Sequence, residues 1–348
     1  METTKPWAIP LLPLRSVNFV IASRVLQRFS AKTTFIRVSL YIRDDNGSLL
    51  QLAEVVAGPD LYEKEIEELV WNNLELFGQD TLFPLRRQVV LPSGGQPDIL
   101  ALDKQGKVVV IEVKRDIDRK QLAQALEYAG WARSNNLDEL AKIYFQGEDA
   151  FFTDWQEFTE SVTPVTINHS PRLVLIARLI HDRTNDALKF LRDNGLPVSV
   201  VPVSIYEDDQ RRWLVEIEHD SSGVMGSITP SSDDASKVKG NGQKTYMVNG
   251  HMVQLHDLIV FGVLAPDTVI EFTRKGTTTK GTVTSEGNIA VGDQLFSTPS
   301  AAGVAAVGHA VDGWVKWRVP AQGGVTLADL RQLLLEKVAG ASDHPGSE

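Results

Sequence analysis

None of the 348 positions is a cysteine. That excludes disulfides, thiol nucleophiles and cysteine-ligated zinc or iron–sulfur centres, and it suits a reducing, cytoplasmic setting. Histidine is scarce as well. Of the seven, His169, His181, His219, His251, His256 and His309 are too scattered to form an H-x-x-x-H or His-rich metal motif. No apolar run approaches the roughly 20 residues that span a bilayer, so a membrane partner is not expected. Nor is there an excess of positive charge. The formal net charge of −10 argues against a protein that coats nucleic acid through a broad basic field. It does not argue against an enzyme that meets phosphates through carboxylate-held divalent cations.

What is present is enough apolar material, 43% of residues, for a sizeable core, in a chain long enough for two or three units. Residues 1–37 carry Glu2 as their only acid. Arg15 interrupts their apolar stretch and prolines break it, so they read as an appended extension of unclear role and not as a secretory signal. From Val38 the pattern is orderly. "VSLYIRDDNGSLLQL" alternates around Asp45-Asn46-Gly47, a hairpin signal. "DLYEKEIEELVWNNLELF" has Tyr62, Ile66, Leu69, Val70 and Phe77 at helical spacing, with Asp60 as its cap. "RRQVVL" reads as a strand, a hairpin follows, and a helix runs from about Arg119 to Ser134. Strand "RLVLIARL", helix "HDRTNDALKFLRDNGLP" and strands "VSVVPVSIY" and "RRWLVEIE" complete a mixed α/β sheet over 38–218. Residues 219–244, rich in Gly, Ser and Asp, read as a flexible linker. A second unit spans 245–320, and 321–348 add a short helix and tail.

The hairpin "GGQPDILALDKQGKVVVIEVKRD" carries Asp98, Glu112 and Lys114 where a sheet core should be apolar. Gly106 selects a three-residue loop, Lys104-Gln105-Gly106, because that loop needs a left-handed last position. Asp98 then faces Glu112, their Cβ atoms about 5 Å apart on one face, and Lys114 shares that face. Two carboxylates this close repel each other unless a cation sits between them. Oxygen-only ligation fits Mg²⁺ or Mn²⁺, and Lys114 is placed to polarise or deprotonate an attacking water. The bland reading, a solvated edge pair, fits poorly with the nearly continuous apolar run Val108 to Val113, which only Glu112 interrupts.

Pro97-Asp98 with Glu112-Val113-Lys114 resembles the PD-(D/E)XK nuclease superfamily, which implies a restriction-endonuclease-like mixed-sheet core. The resemblance implies that a first-helix glutamate completes the metal site with Asp98 and Glu112. Glu65, on the apolar side of that helix, is the candidate, whereas Glu63, Glu67 and Glu68 can face water. Gln124 and Tyr128, at i and i+4 after the hairpin, resemble the Q-x-x-x-Y signature of the RecB-like branch, which borders the active site. The order of these residues looks most like the nuclease domain of the NucS group, although no N-terminal DNA-binding and dimerisation domain of that type is evident.

The second unit resembles the RAMA domain, a small α+β module of restriction enzymes and adenine methylases proposed to read modified DNA. Leu255 to Ile259, Ser297-Thr298-Pro299-Ser300 and Gly313-Trp314 with Trp317 carry the likeness. Trp314 and Trp317 either stack on a base or anchor the core. Ser297 and Ser300 either bind phosphate or, for Ser300, cap the following helix. "TRKGTTTK", with Arg274, Lys275 and Lys280, is the candidate backbone-contact loop or else a solvated hairpin tip.

The expectation is therefore an α/β nuclease core with a small C-terminal α+β reader, acting as a Mg²⁺- or Mn²⁺-dependent endonuclease on DNA, modified or not, in a restriction or defence role. Homodimerisation stays open. So do a catalytically silent DNA-binding protein and a structure-specific repair or RNA nuclease, since this signature does not read the sugar.

Overall fold

A computed structural model describes residues 20–30, 33–43, 49–54, 59–78, 80–92, 94–161, 165–208, 211–218, 247–248 and 251–342. The Asp45-Asn46-Gly47 turn and the 219–244 linker lie outside these. The chain divides into two compact units, Met1–Val56 with Ser204–Glu216, and Ala57–Val203 with Ile217–Glu348.

In the smaller unit, β1 (Val20–Ser30), β2 (Thr33–Arg43) and β3 (Leu49–Gln51) form an antiparallel sheet with β2 central. The stretch set apart as an extension thus supplies all of β1 and part of β2. β4 (Ala53–Glu54) pairs antiparallel through Ala53 with Glu207 and Glu54 with Tyr206, and Leu40, Leu52 and Tyr206 are buried together.

The larger unit opens with α1 (Pro59–Asn72) and α2 (Leu74–Phe77), followed by β5 (Phe83–Arg87), β6 (Ile99–Leu102) and β7 (Lys107–Ile117). Because α1 begins at Pro59, Asp60 falls in its first turn instead of capping it. The strand expected over 86–91 sits earlier, since Gln88 adopts φ of 49° and leaves the extended region. Then come α3 (Arg119–Ser134), α4 (Leu137–Ile143), α5 (Glu148–Thr159), β8 (Asn168–Ile180), α6 (Asp182–Asp193) and β9 (Val198–Glu207), whose end from Ser204 belongs to the smaller unit, as does β10 (Trp213–Ile217) up to Glu216.

β7 is the strand around which this unit is built. It runs antiparallel to β6 and parallel to β8, which is parallel to β9. Covering on both sides explains its Val108–Val113 run, apolar but for Glu112, every member of which is buried. α3 packs on β7 and β8 and starts with a capping box, in which the Asp118 carboxylate accepts the Lys120 and Gln121 amides and Gln121 returns a bond to the Asp118 amide. The β6–β7 turn uses Gly106 at φ of 76°. The Gly106 amide bonds to the Asp103 carbonyl at 2.9 Å, and a Cβ there would meet the Thr166 carbonyl at 2.2 Å. Only glycine fits, and the resulting register pairs Ile99 with Ile111 and Leu102 with Val108. Asp103 seals the turn by accepting the Gln105 and Lys107 amides. Buried Arg172 on β8 reaches Asp103, Asp80 and the Gly78 carbonyl, which balances its own desolvation.

The C-terminal module comprises β11 (Met247–Val248), β12 (His251–Met252), α7 (Leu255–Val260), β13 (Val269–Arg274), β14 (Thr277–Val283), β15 (Ile289–Val291), β16 (Gln294–Phe296), α8 (Pro299–Val307), α9 (Gly313–Lys316), β17 (Arg318–Val319), β18 (Val325–Thr326) and α10 (Leu327–Ser342). β13 to β18 form a six-stranded sheet ordered β16-β15-β14-β13-β17-β18. Its core takes in Leu327, Leu330 and Leu334 of α10, the helix that the sequence set beyond residue 320. The fold is the expected one: a mixed-sheet α/β core with a small α+β module. Among the described residues no helix is long and apolar enough to cross a membrane.

Candidate active site

Asp98 ends the extended approach to β6, Glu112 and Lys114 lie on β7, and the register brings all three together. The Asp98 amide donates to Glu112 Oε1 at 3.4 Å. Asp98 Oδ2 accepts both the Val113 amide at 2.8 Å and Lys114 Nζ at 2.9 Å. Lys114 Nζ also donates to the Val113 carbonyl at 2.9 Å and lies 3.7 Å from Glu112 Oε2. With Glu63 as near as Glu112, the ammonium sits among three carboxylates and a main-chain carbonyl.

The electrostatics are unbalanced. Glu112 is 4% exposed, and burial, with the Asp98 charge adding to it, pushes its carboxyl up to about 8 despite Lys114. Burial alone would pull Lys114 down, yet the surrounding carboxylates, Asp98 first, hold it above the ordinary lysine value. Lys114 is thus an ammonium at neutral pH and a donor, not a free base. Among the described residues no three His, Asp or Glu side chains are grouped to hold a metal ion. Asp98, Glu112 and the Val113 carbonyl nonetheless form a hard, oxygen-only donor set around the ammonium, which is the chemistry that suits Mg²⁺ or Mn²⁺ with water in the remaining positions.

Glu112 carries a pH signature. An unfolded glutamate titrates near about 4.3, so the buried one binds its proton more tightly folded than unfolded. The stability penalty is absent below that value, grows as pH rises and is complete above about 8. In metal-free buffer, Glu112→Gln is expected to melt like the wild type at pH 4 and several degrees higher at pH 9. Thermal melts at both pH values check this, and equal melting at pH 9 would contradict it.

Glu65 is half-exposed and bonds to none of these three groups. Two neighbours that were expected in water lie nearer the cluster. Glu63 Oε2 lies 3.6 Å from Lys114 Nζ, and Glu63 Oε1 accepts the Arg115 amide at 3.2 Å. Glu67, buried and raised mainly by desolvation, is bonded by Arg87 and by Gln88, whose amide also reaches Asp98 Oδ1 at 3.3 Å. Tyr62, Ile66 and Val70 mark the buried stripe of α1, and Glu63 and Glu67 flank it on the side of β7 while Glu65 flanks the other.

Tyr128 is buried, and its hydroxyl accepts the Gln96 amide at 3.2 Å. Its ring closes over Gly95, where a Cβ would approach to 2.5 Å. It therefore props the Gly94–Pro97 approach that aims Asp98. Gln124, one turn earlier, is half-exposed and bonds to none of the three.

In the C-terminal module most contact candidates are otherwise engaged. Trp314 and Trp317 are 2% and 0% exposed. Trp314 Nε1 donates to buried Glu75, with the Arg331 guanidinium 4.1 Å above its ring, and Trp317 Nε1 donates to the Pro299 carbonyl at 3.0 Å. Neither presents a face to a base, because each ring fills the core. Arg274 is clamped on Glu157 at 2.9–3.1 Å, and Lys280 pairs with Glu271 at 3.1 Å. Lys275 is exposed at a turn. Ser297 donates to Asn73 at 2.9 Å. Ser300 accepts the Gly313 amide while Thr298 caps α8, so the cap reading of Ser300 shifts two residues back. The contacts to Glu75, Glu157 and Asn73, with Lys104 on Asp312 and Lys316 on Glu160, fasten the module to the core. Glu75 gave no sequence signal, since its partner Trp314 is 239 positions away.

Among solved structures, an EndoMS–dsDNA complex is 17% identical, with a TM-score of 0.26, over 52% of this chain and 65% of that one, just under two thirds of its length. EndoMS in apo form is 15% identical, with a TM-score of 0.26, over 53% and 86%. A repair endonuclease from Pyrococcus abyssi is 14% identical, with a TM-score of 0.25, over 53% and 87%. Likeness this remote fixes neither site nor activity. No curated protein matches the chain. Its C-terminal part does have a family match: residues 235–340 fit the RAMA model, Restriction Enzyme Adenine Methylase Associated.

Proposed function

We propose that the chain is a metal-dependent DNA endonuclease in which residues 38–218 hydrolyse phosphodiesters and the C-terminal module, joined by 219–244, directs cleavage to modified DNA. The observation that supports this most is the meeting of Asp98, Glu112 and Lys114 on a central strand. A purely structural role is poorly served by a buried cluster that leaves one carboxyl near 8. Asp98, Glu112 and the Val113 carbonyl would hold Mg²⁺ or Mn²⁺, which when bound neutralises phosphate charge and acidifies a bound water. Lys114, kept charged, donates to the attacking water or a phosphoryl oxygen and stabilises the charge that builds there. Glu63 and Glu67 take the first-helix role expected of Glu65. Tyr128 and Gln124 position the approach to the site.

With both tryptophans buried, the reading of a base passes to a cavity of about 600 Å³ between core and module, lined in part by Trp71, Phe145, Asn288 and Leu295. None of its lining residues is charged, which suits a neutral planar heterocycle with amide-like edges. The test is cleavage of matched plasmids with and without methylated or hydroxymethylated bases, in Mg²⁺ or Mn²⁺, by the wild type and Glu112→Ala. The wild type is expected to prefer modified plasmid and the variant to cut neither. Equal cutting of both plasmids would remove the reader assignment, and no cutting of either would remove the nuclease.

A further inference from the structure

α3 and α6 both begin where β7 and β8 end, the edge of a parallel pair at which ligands collect. There Asp118, Arg119, Lys120, His181, Arg183 and Thr184 line an open cavity of about 800 Å³. Three of the six carry permanent positive charge. The one acid with a described side chain, Asp118, is committed to capping α3 through the Lys120 and Gln121 amides. α6 is 12 residues long and starts differently. His181 stands at its N-cap without a side-chain bond to the first turn, while the Thr184 and Asn185 amides turn back to the His181 carbonyl. Among the described side chains none caps the positive end of that helix.

Thr184 supplies an independent sign of a missing ligand. It is 0% exposed, and its Oγ1 has no hydrogen-bond partner among the described residues. A buried hydroxyl left unpaired is costly, and one that lines a cationic cavity at a helix start is explained by an acceptor that binds there. The cavity asks for a compact anion with several acceptor oxygens.

We propose that this cavity binds a phosphate group, held by Arg119, Lys120, Arg183 and the Thr184 hydroxyl, and that the phosphate belongs to the backbone of the DNA strand running toward Lys114. Asp118 follows Lys114 by four residues, about 13 Å at strand rise, so the bound phosphate would fix the strand one or two nucleotides from the scissile bond. That the phosphate is DNA's rests on the nuclease reading; that an anion binds does not.

The test uses the full chain with Asp98→Asn as a common non-cleaving background. Affinity for a fluorescent duplex and stabilisation by millimolar inorganic phosphate are measured with and without Thr184→Val or Arg183→Ala. Thr184→Val removes only an unpaired hydroxyl, so its melting temperature is expected to hold or rise. Its duplex affinity is expected to fall about tenfold, and stabilisation by phosphate to vanish. Arg183→Ala is expected to lower the slope of log affinity against log salt by about one. If Thr184→Val leaves both readouts unchanged, the site is overturned. If it abolishes phosphate stabilisation but not duplex affinity, the assignment to DNA is overturned and a free phosphate or nucleotide is the ligand. A wild type that cuts nothing, alongside variants that lose phosphate stabilisation, would sink the nuclease reading and leave the anion site standing.

Discussion

Asp98→Asn is expected to fold as well as the wild type and to cut DNA about 10³-fold more slowly. Asp98 Oδ2 takes two donors at once, the Val113 amide and Lys114 Nζ. A carboxamide matches only part of that. It removes the charge that would bind a divalent ion, and its NH₂ competes with the donors already there. It also removes the charge that balances Lys114, while sparing Glu112 a like charge only above about pH 8, so the metal-free variant is expected to melt within a few degrees of the wild type. Activity is thus expected to fall far more than stability. Single-turnover cleavage and thermal melts on the same preparations check this. A variant that cuts at the wild-type rate would show that the cluster is not catalytic.

Trp314→Ala is expected to cost roughly 3–5 kcal/mol, the usual penalty for emptying a large aromatic site, or about 2–4 °C of melting temperature per kcal/mol. The indole is held from both sides. Its Nε1 satisfies Glu75, a carboxyl that burial raises and that the nearby Arg331 draws back, and the Arg331 guanidinium covers its ring. Removing it strands a buried acid and loosens the module from the core. Duplex binding measured well below the new melting point should change little. If the variant instead melts like the wild type and loses its preference between modified and unmodified duplexes, the tryptophan reads a base and its buried role here is wrong.

The contrast between Asp98 and Trp314 shows what was legible in the chain. The hairpin register was, because one glycine in one turn decides it, and a period of two then assigns every side chain to a face. Helical periodicity locates the buried stripe of α1 but not which flank meets β7, since that depends on how the helix docks; hence the sequence points to Glu65, whereas Glu63 and Glu67 face β7. α4 and α5 carry their own signals, an Asn136–Glu139 capping box and Phe151, Trp155 and Phe158 at helical spacing, but these are short and sit between stronger elements. The module's tryptophans and Arg274 read equally well as contacts or as packing. Their partners Glu75 and Glu157 lie more than 100 positions away, where no local pattern reaches.

The most direct measurement is a titration of the purified chain with Mn²⁺, followed by electron paramagnetic resonance at pH 8, for the wild type, Asp98→Asn and Glu112→Gln. The account predicts saturable binding by the wild type that weakens strongly in both variants, in step with the loss of DNA cutting. Equal binding by all three proteins, or none by the wild type while it cuts DNA, would contradict it.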